Sequence, residues 1–149
     1  MQKLNFPQYN FRFKNTENKT GIFAPLRKKY ISLTPEEWVR QHCVHFLIEE
    51  KKYPSTLLSE EKKVMINGMP KRYDLLGFKS DGSVKLIVEC KAPQIKITQS
   101  TFDQIARYNL SLNADYLMLT NGLNHYFSQM DYQQKSYFFL KDLPEYSVV

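Results

Sequence analysis

Apolar and polar positions along this chain change period several times, and each change marks an element. Thr34-Pro35-Glu36-Glu37 has the form of a helix start, with Thr at the cap, Pro in the first turn and Glu three residues after the cap. Val39, Cys43, Phe46, Leu47 and Glu50 then follow helical spacing until Tyr53-Pro54 stops the pattern. Leu57 to Ile66 reads as a strand, Asn67-Gly68 turns the chain, and Arg72 to Phe78 reads as its partner. Val84 to Val88 is a third strand, reached through Asp81-Gly82. A second helix starts between Thr98 and Thr101, runs through Phe102, Ile105, Ala106 and Leu110, and stops near Asn113. Tyr116 to Thr120 is continuously apolar, as a strand buried on both faces should be. Asn121-Gly122 turns it into a strand over Asn124 to Ser128, and Lys135 to Leu140 supplies the last one. Residues 1–33, with Pro7, Pro25 and short aromatic pieces, read as an N-terminal arm or small hairpin, leaving 34–149 as the folded domain. The expected fold class is α/β, a mixed α+β sheet built as helix, three antiparallel strands, helix and strand, with extra C-terminal strands.

Charge changes the picture at one place. Strong charges rarely end a buried strand without a partner or a metal, yet Glu89-Cys90-Lys91 closes the run Val84-Lys85-Leu86-Ile87-Val88. A two-residue turn at Asp81-Gly82 sets Ser80 against Ser83, and the same register sets Asp74 against Glu89 with Cβ atoms about 5 Å apart. Two carboxylates so placed repel unless a cation lies between them or one holds a proton. A hard divalent cation suits the site, and Lys91 projects from the same face about 7 Å further along. The plain alternative is a surface hairpin with one salt bridge, which the apolar neighbours Leu75-Leu76 and Leu86-Ile87-Val88 argue against.

Asp74 followed by Glu89-Cys90-Lys91 resembles the Asp…(Asp/Glu)-x-Lys signature of the PD-(D/E)XK nuclease superfamily. Thr34 to Gln41, Lys71 to Asp74, Val88 to Pro93, Gln104 to Asn109 and Leu119 to Gly122 occur in an order similar to the N-terminal nuclease domain of type I restriction enzyme R subunits. Tyr73 stands where the superfamily name has Pro. The resemblance implies a restriction-endonuclease-like core and DNA hydrolysis leaving 5′-phosphate and 3′-hydroxyl ends. It implies Mg²⁺, with Mn²⁺ as an alternative, held by Asp74, Glu89, the Cys90 carbonyl and a first-helix Glu. Glu37 matches by motif, although the capping box already accounts for it, and Glu50 rivals it by lying in register with the apolar stripe. Lys91 would orient or deprotonate water. Gln104 and Tyr108, four apart on one side of the second helix, would help hold the site and the DNA backbone, and Arg72 and Arg107 would contact phosphates. No Gly-x-x-x-x-Gly-Lys-(Ser/Thr) loop occurs, so an ATP-driven motor is not expected from these residues. The competing reading is a non-catalytic DNA-binding or protein-interaction module working with a restriction or repair partner.

Composition adds less. The 149 residues carry a net charge of +6, which favours a polyanionic partner. Cys43 and Cys90 both sit in apolar patterns and read as buried free thiols of a reducing compartment. No stretch approaches the ~20 apolar residues that span a bilayer, so a soluble cytoplasmic protein with no membrane partner is expected. Assembly as a homodimer is left open. Basic clusters such as Arg27-Lys28-Lys29 read as solvated surface, or as a track for a nucleic-acid backbone where aromatics interleave.

Overall fold

The computed structural model describes residues 1–109 and 111–147; Leu110, predicted on the second helix, lies outside the described residues, as does the Tyr108 side chain. Three short strands, β1 (Phe13–Thr16), β2 (Lys19–Ala24) and β3 (Lys29–Ser32), form one antiparallel sheet. After α1 (Pro35–His45) come β4 (Leu58–Ile66), β5 (Met69–Phe78), β6 (Val84–Cys90), α2 (Gln99–Asn109), β7 (Tyr116–Thr120), β8 (His125–Asp131) and β9 (Ser136–Leu140). These six strands lie side by side in chain order. Only β6 and β7 run parallel, because α2 carries the chain back between them. The order matches the helix, three strands, helix and strand expected of a restriction-endonuclease-like core.

Apolar side chains pack on both faces of the large sheet. Val39, Cys43, Val44 and Leu47 of the first helical segment meet Leu75, Leu86, Val88 and Met118, whereas Phe102 and Ala106 of α2 meet Leu76, Ile87, Leu117 and Leu119. Burying each such Leu, Val or Phe contributes about 1.5–3 kcal/mol, so β6 and β7 form the rigid centre. The first helix ends differently from its pattern. A wide turn over Phe46–Glu50, with Lys51 N–H donating to Phe46 O at 3.1 Å, replaces the last α-helical turn ahead of Pro54.

The β5–β6 connection corrects the expected two-residue turn. Lys79 N–H donates to Ser83 O (2.8 Å) and Gly82 N–H to Lys79 O (3.0 Å), enclosing a three-residue loop with Gly82 at φ 90°. Phe78 therefore pairs with Val84, one step out of the expected register. An irregularity between Gly77 and Phe78 then restores it, and Gly77, Leu76 and Leu75 face Leu86, Ile87 and Val88. The two shifts cancel, which delivers Asp74 next to Glu89 after all.

The N-terminal segment is three-stranded, not a single hairpin. Its β1 is exposed throughout and gives no alternating signal. Ahead of it, Leu4 is buried and Asn5 N–H donates to Gly122 O at 2.8 Å. Gly122 holds φ +87°, and a Cβ there would sit 2.9 Å from a Leu4 methyl and 3.1 Å from Val39. Gly122→Ala is expected to cost about 1–3 kcal/mol in urea unfolding, since it combines backbone strain with overpacking. An unchanged midpoint would show that the arm is not seated there. Among the described residues, no helix is long and apolar enough to cross a membrane.

Candidate active site

Asp74 and Glu89 lie where β5 and β6 part, one step beyond their last pair, Leu75 with Val88. On the other side, the β4–β5 ladder passes from Glu60 with Leu75 to Lys62 with Tyr73, skipping Glu61 opposite Asp74. Glu61 adopts φ 51°, the left-handed region that a residue with a side chain seldom occupies. The break upsets alternation: Leu75 packs with the α1 cluster, yet Tyr73, two residues away, packs with the α2 cluster. Asp74 is thus released from the ladder at a gap in the sheet.

Its carboxylate accepts from Arg40 Nη2 at 3.2 Å through Oδ1 and from the Cys90 backbone N–H at 2.8 Å through Oδ2. Glu89 shares a hydrogen bond with Asp74, and burial together with the Asp74 charge pushes its carboxyl up to about 9, against the partial pull of Lys71 and Lys91. Glu89 is therefore protonated at neutral pH, and its Oε1 is buried without a hydrogen-bond partner. Lys91 is half-buried just past β6, its N–H donating to Thr120 O at 2.8 Å. The Cys90 side chain turns the other way, its Sγ 3.8 Å from Cys43 Sγ, and both are buried free thiols as expected.

Glu37 does not complete a capping box. Thr34 Oγ1 accepts from Glu37 N–H at 3.0 Å, but the Glu37 carboxylate accepts instead from Arg40 Nη1 and Gln41 Nε2, each at 2.9 Å. Glu50, the rival, accepts from Tyr9 OH at 2.5 Å in the wide turn that follows α1. Of the two, Glu37 is the one that reaches the Asp74 network, through Arg40.

Sequence reasoning missed four members. Arg40 Nη1 also donates to Glu61 Oε1 at 3.0 Å, and Gln41 Nε2 donates to Glu60 Oε1 at 2.7 Å. Burial alone would lower the Arg40 pKa, but Glu37 and Asp74 outweigh it and raise it. Burial and then the charge of Glu37 push Glu60 up to about 7. Arg40 Nε, Gln41 Oε1 and Glu60 Oε2 are buried without partners, as Glu89 Oε1 is. The available signal was helical spacing: Arg40 and Gln41 stand three and four residues after Glu37, on its face of α1. Glu60 and Glu61 fall within the strand predicted over Leu57 to Ile66, whose pattern gives no sign of a site.

The structure does not bring the remaining predicted residues into contact with the carboxyl pair. Gln104 and Arg107 are exposed on α2 and, with Lys71, Met69 and Pro70, line an open cleft of about 710 Å³. Arg72 is exposed on β5, where it pairs with Lys63 of β4, and it lies beyond the part of β5 that pairs with β6. Among the described residues, no three His, Cys, Asp or Glu side chains are gathered as a metal-binding set. The cause is visible, since Arg40 lies between Glu37 and Asp74. Asp74 and Glu89 by themselves fit a hard cation: the donors are oxygens, one is unpartnered, and one proton already stands where positive charge is needed.

Comparison with known proteins gives a family for the chain. Residues 35–144 match the family described as type I restriction enzyme R protein N terminus. No curated protein matches the chain. Among solved structures, a candidate nuclease belonging to DUF820 from Anabaena variabilis is similar over 87% of this chain and 80% of its own, at 10% identity and a TM-score of 0.49.

Proposed function

Because the chain belongs to the family of the type I restriction enzyme R protein N terminus, we propose that it is a metal-dependent nuclease that hydrolyses DNA phosphodiester bonds. The observation that carries this reading is the Glu89 carboxyl, held protonated up to about 9 beside Asp74 with one oxygen buried and unpartnered. A protein keeps such a costly group where a cation or substrate relieves it. Asp74, Glu89 and the Cys90 carbonyl would hold Mg²⁺ or Mn²⁺, and Glu37 would join them where Arg40 turns aside. A bound divalent ion supplies polarisation of a phosphoryl oxygen and acidification of water.

The chain's own groups do the rest. Lys91 orients or deprotonates the water whose oxygen attacks phosphorus, and the 3′-oxygen leaves with a proton from solvent. Gln104 and Tyr108 brace the strand backbone from α2, while Arg72 and Arg107 neutralise flanking phosphates. These residues hold no phosphate-binding loop, so the reading assigns them hydrolysis and not movement along DNA, and it takes restriction or repair subunits as the partners.

The Arg40–Asp74 ion pair favours a second reading, a binding module in which an arginine stands where the cation would. Plasmid nicking and titration calorimetry separate the two. The nuclease nicks plasmid in Mg²⁺ and binds the ion, and both Glu89→Ala and Lys91→Ala lower nicking by about 10²–10⁴-fold, the usual size of acid–base and charge-stabilising effects. Unchanged nicking in both variants, or no heat of Mg²⁺ binding, removes the nuclease reading.

A further inference from the structure

The small N-terminal sheet holds most of the protein's excess charge. Between residues 11 and 33, Arg12, Lys14, Lys19, Arg27, Lys28 and Lys29 stand against Glu17 alone, in a chain whose net charge is +6. The sheet also has a definite outer face. Ile22 and Ala24 of β2 are fully buried, so Gly21 and Phe23 point outward together with their partners Lys14 on β1 and Tyr30 on β3. Arg12 continues that face, its carbonyl accepting from Phe23 N–H at 2.9 Å.

On this face cations and rings are layered. The Arg12 guanidinium carbon lies 4.1 Å from the Phe23 ring centre and Lys14 Nζ 5.9 Å from that of Tyr30, and the two rings meet edge to face at 5.2 Å. Tyr30 remains 40% exposed. Among the described residues, no ion pair occupies Arg12, Lys14, Lys19, Lys28 or Lys29, whereas Arg27 reaches Glu61 at 3.9 Å. Glu61 in turn bonds Arg40, which holds Asp74, so the β2–β3 connection is fastened to the carboxyl cluster.

We propose that the outer face of this sheet binds single-stranded DNA and leads it toward the carboxyl cluster. Free cations suit phosphates, and a guanidinium plane backed by an aromatic ring suits an unstacked base, which a duplex does not offer. The proposal deepens the nuclease reading by naming the form of the substrate.

The test is fluorescence anisotropy of the full chain with a labelled oligothymidine of about 15 nucleotides, the upper range of one small binding fold. It is run in chelator so that cleavage plays no part. Wild type is expected to bind the single strand at least about 10-fold more tightly than a blunt duplex of equal length. Arg12→Ala with Lys14→Ala, and separately Tyr30→Ala, weaken binding about 10-fold or more, and the double variant flattens the salt dependence by about 1.4 log units per log unit of salt. Circular dichroism and the thermal midpoint stay at wild-type values, since these side chains are exposed. Equal binding by wild type and variants, a preference for duplex, or full displacement by polyglutamate overturns the proposal. Strand binding that depends on Arg12 without any nicking would count against the nuclease reading alone, and nicking without it against the platform alone.

Discussion

Glu89→Gln is expected to raise the thermal midpoint at pH 9 while weakening Mg²⁺ binding and slowing cleavage about 10³-fold. The folded carboxyl titrates near 9 against an ordinary value of 4.5, because burial and Asp74 disfavour its charge. Its stabilising contribution is fully present below the unfolded pKa and is lost as pH rises from about 4.5 to 9, where the unfolded chain ionises but the folded one does not. Glu60, pushed up to about 7, adds the same slope over the lower part of that window. Gln keeps the shape of the protonated acid and cannot ionise, so the midpoint at pH 9 rises by about 5 °C and the decline with pH becomes shallower. Losing the acid's charge in the cation-bound state removes several kcal/mol of transition-state stabilisation, about 10³-fold in rate. Calorimetry across pH 5 to 9, alongside nicking, reads both halves. A variant that melts along the wild-type pH curve would show that Glu89 is not the buried acid described.

Arg40→Met should produce the largest loss of stability of any substitution in the cluster. It leaves Glu37, Glu61 and Asp74, each now bonded to the guanidinium, facing one another without it. Removing one partner of a buried charge network costs about 3–5 kcal/mol. Millimolar Mg²⁺ should return part of that loss, since the carboxylates then surround a vacant position suited to a divalent ion. Urea unfolding with and without Mg²⁺ measures this, and NaCl of matched ionic strength is the control. Equal recovery in NaCl would mean that screening alone is at work and that the acids form no cation site.

The fold was legible where apolar runs were long. Leu86-Ile87-Val88 and Leu117-Met118-Leu119 could only be central strands, and Asn121-Gly122 and Asn67-Gly68 could only be turns. The arm and β1–β3 were less legible, because an exposed strand such as Phe13–Thr16 has no buried face to impose a period. At the site, the adjacency of Asp74 and Glu89 was read through a turn that is one residue longer than supposed, and a compensating irregularity at Gly77 was invisible to pattern reasoning. Arg40 and Gln41 were hidden for a different reason. Helical spacing shows which side a residue occupies, but nothing in α1 announces that β4 will bring Glu60 and Glu61 to meet it. The left-handed Glu61 is a tertiary compromise, since no local preference of Glu selects it.

The way the N-terminal residues are fastened has a mechanical corollary. Asn5 is hydrogen-bonded to the turn after β7 and Thr34 caps α1, so the intervening strands are strung between two fixed posts. Closing both ends of a segment removes most of its freedom to swing, and whatever it carries is kept at a high local concentration near its neighbours. Cutting the first post, by deleting residues 1–5, would leave β1–β3 held by Thr34, the Tyr9–Glu50 hydrogen bond and the Arg27–Glu61 ion pair, and the added freedom would dilute its basic face with respect to the acids it now adjoins.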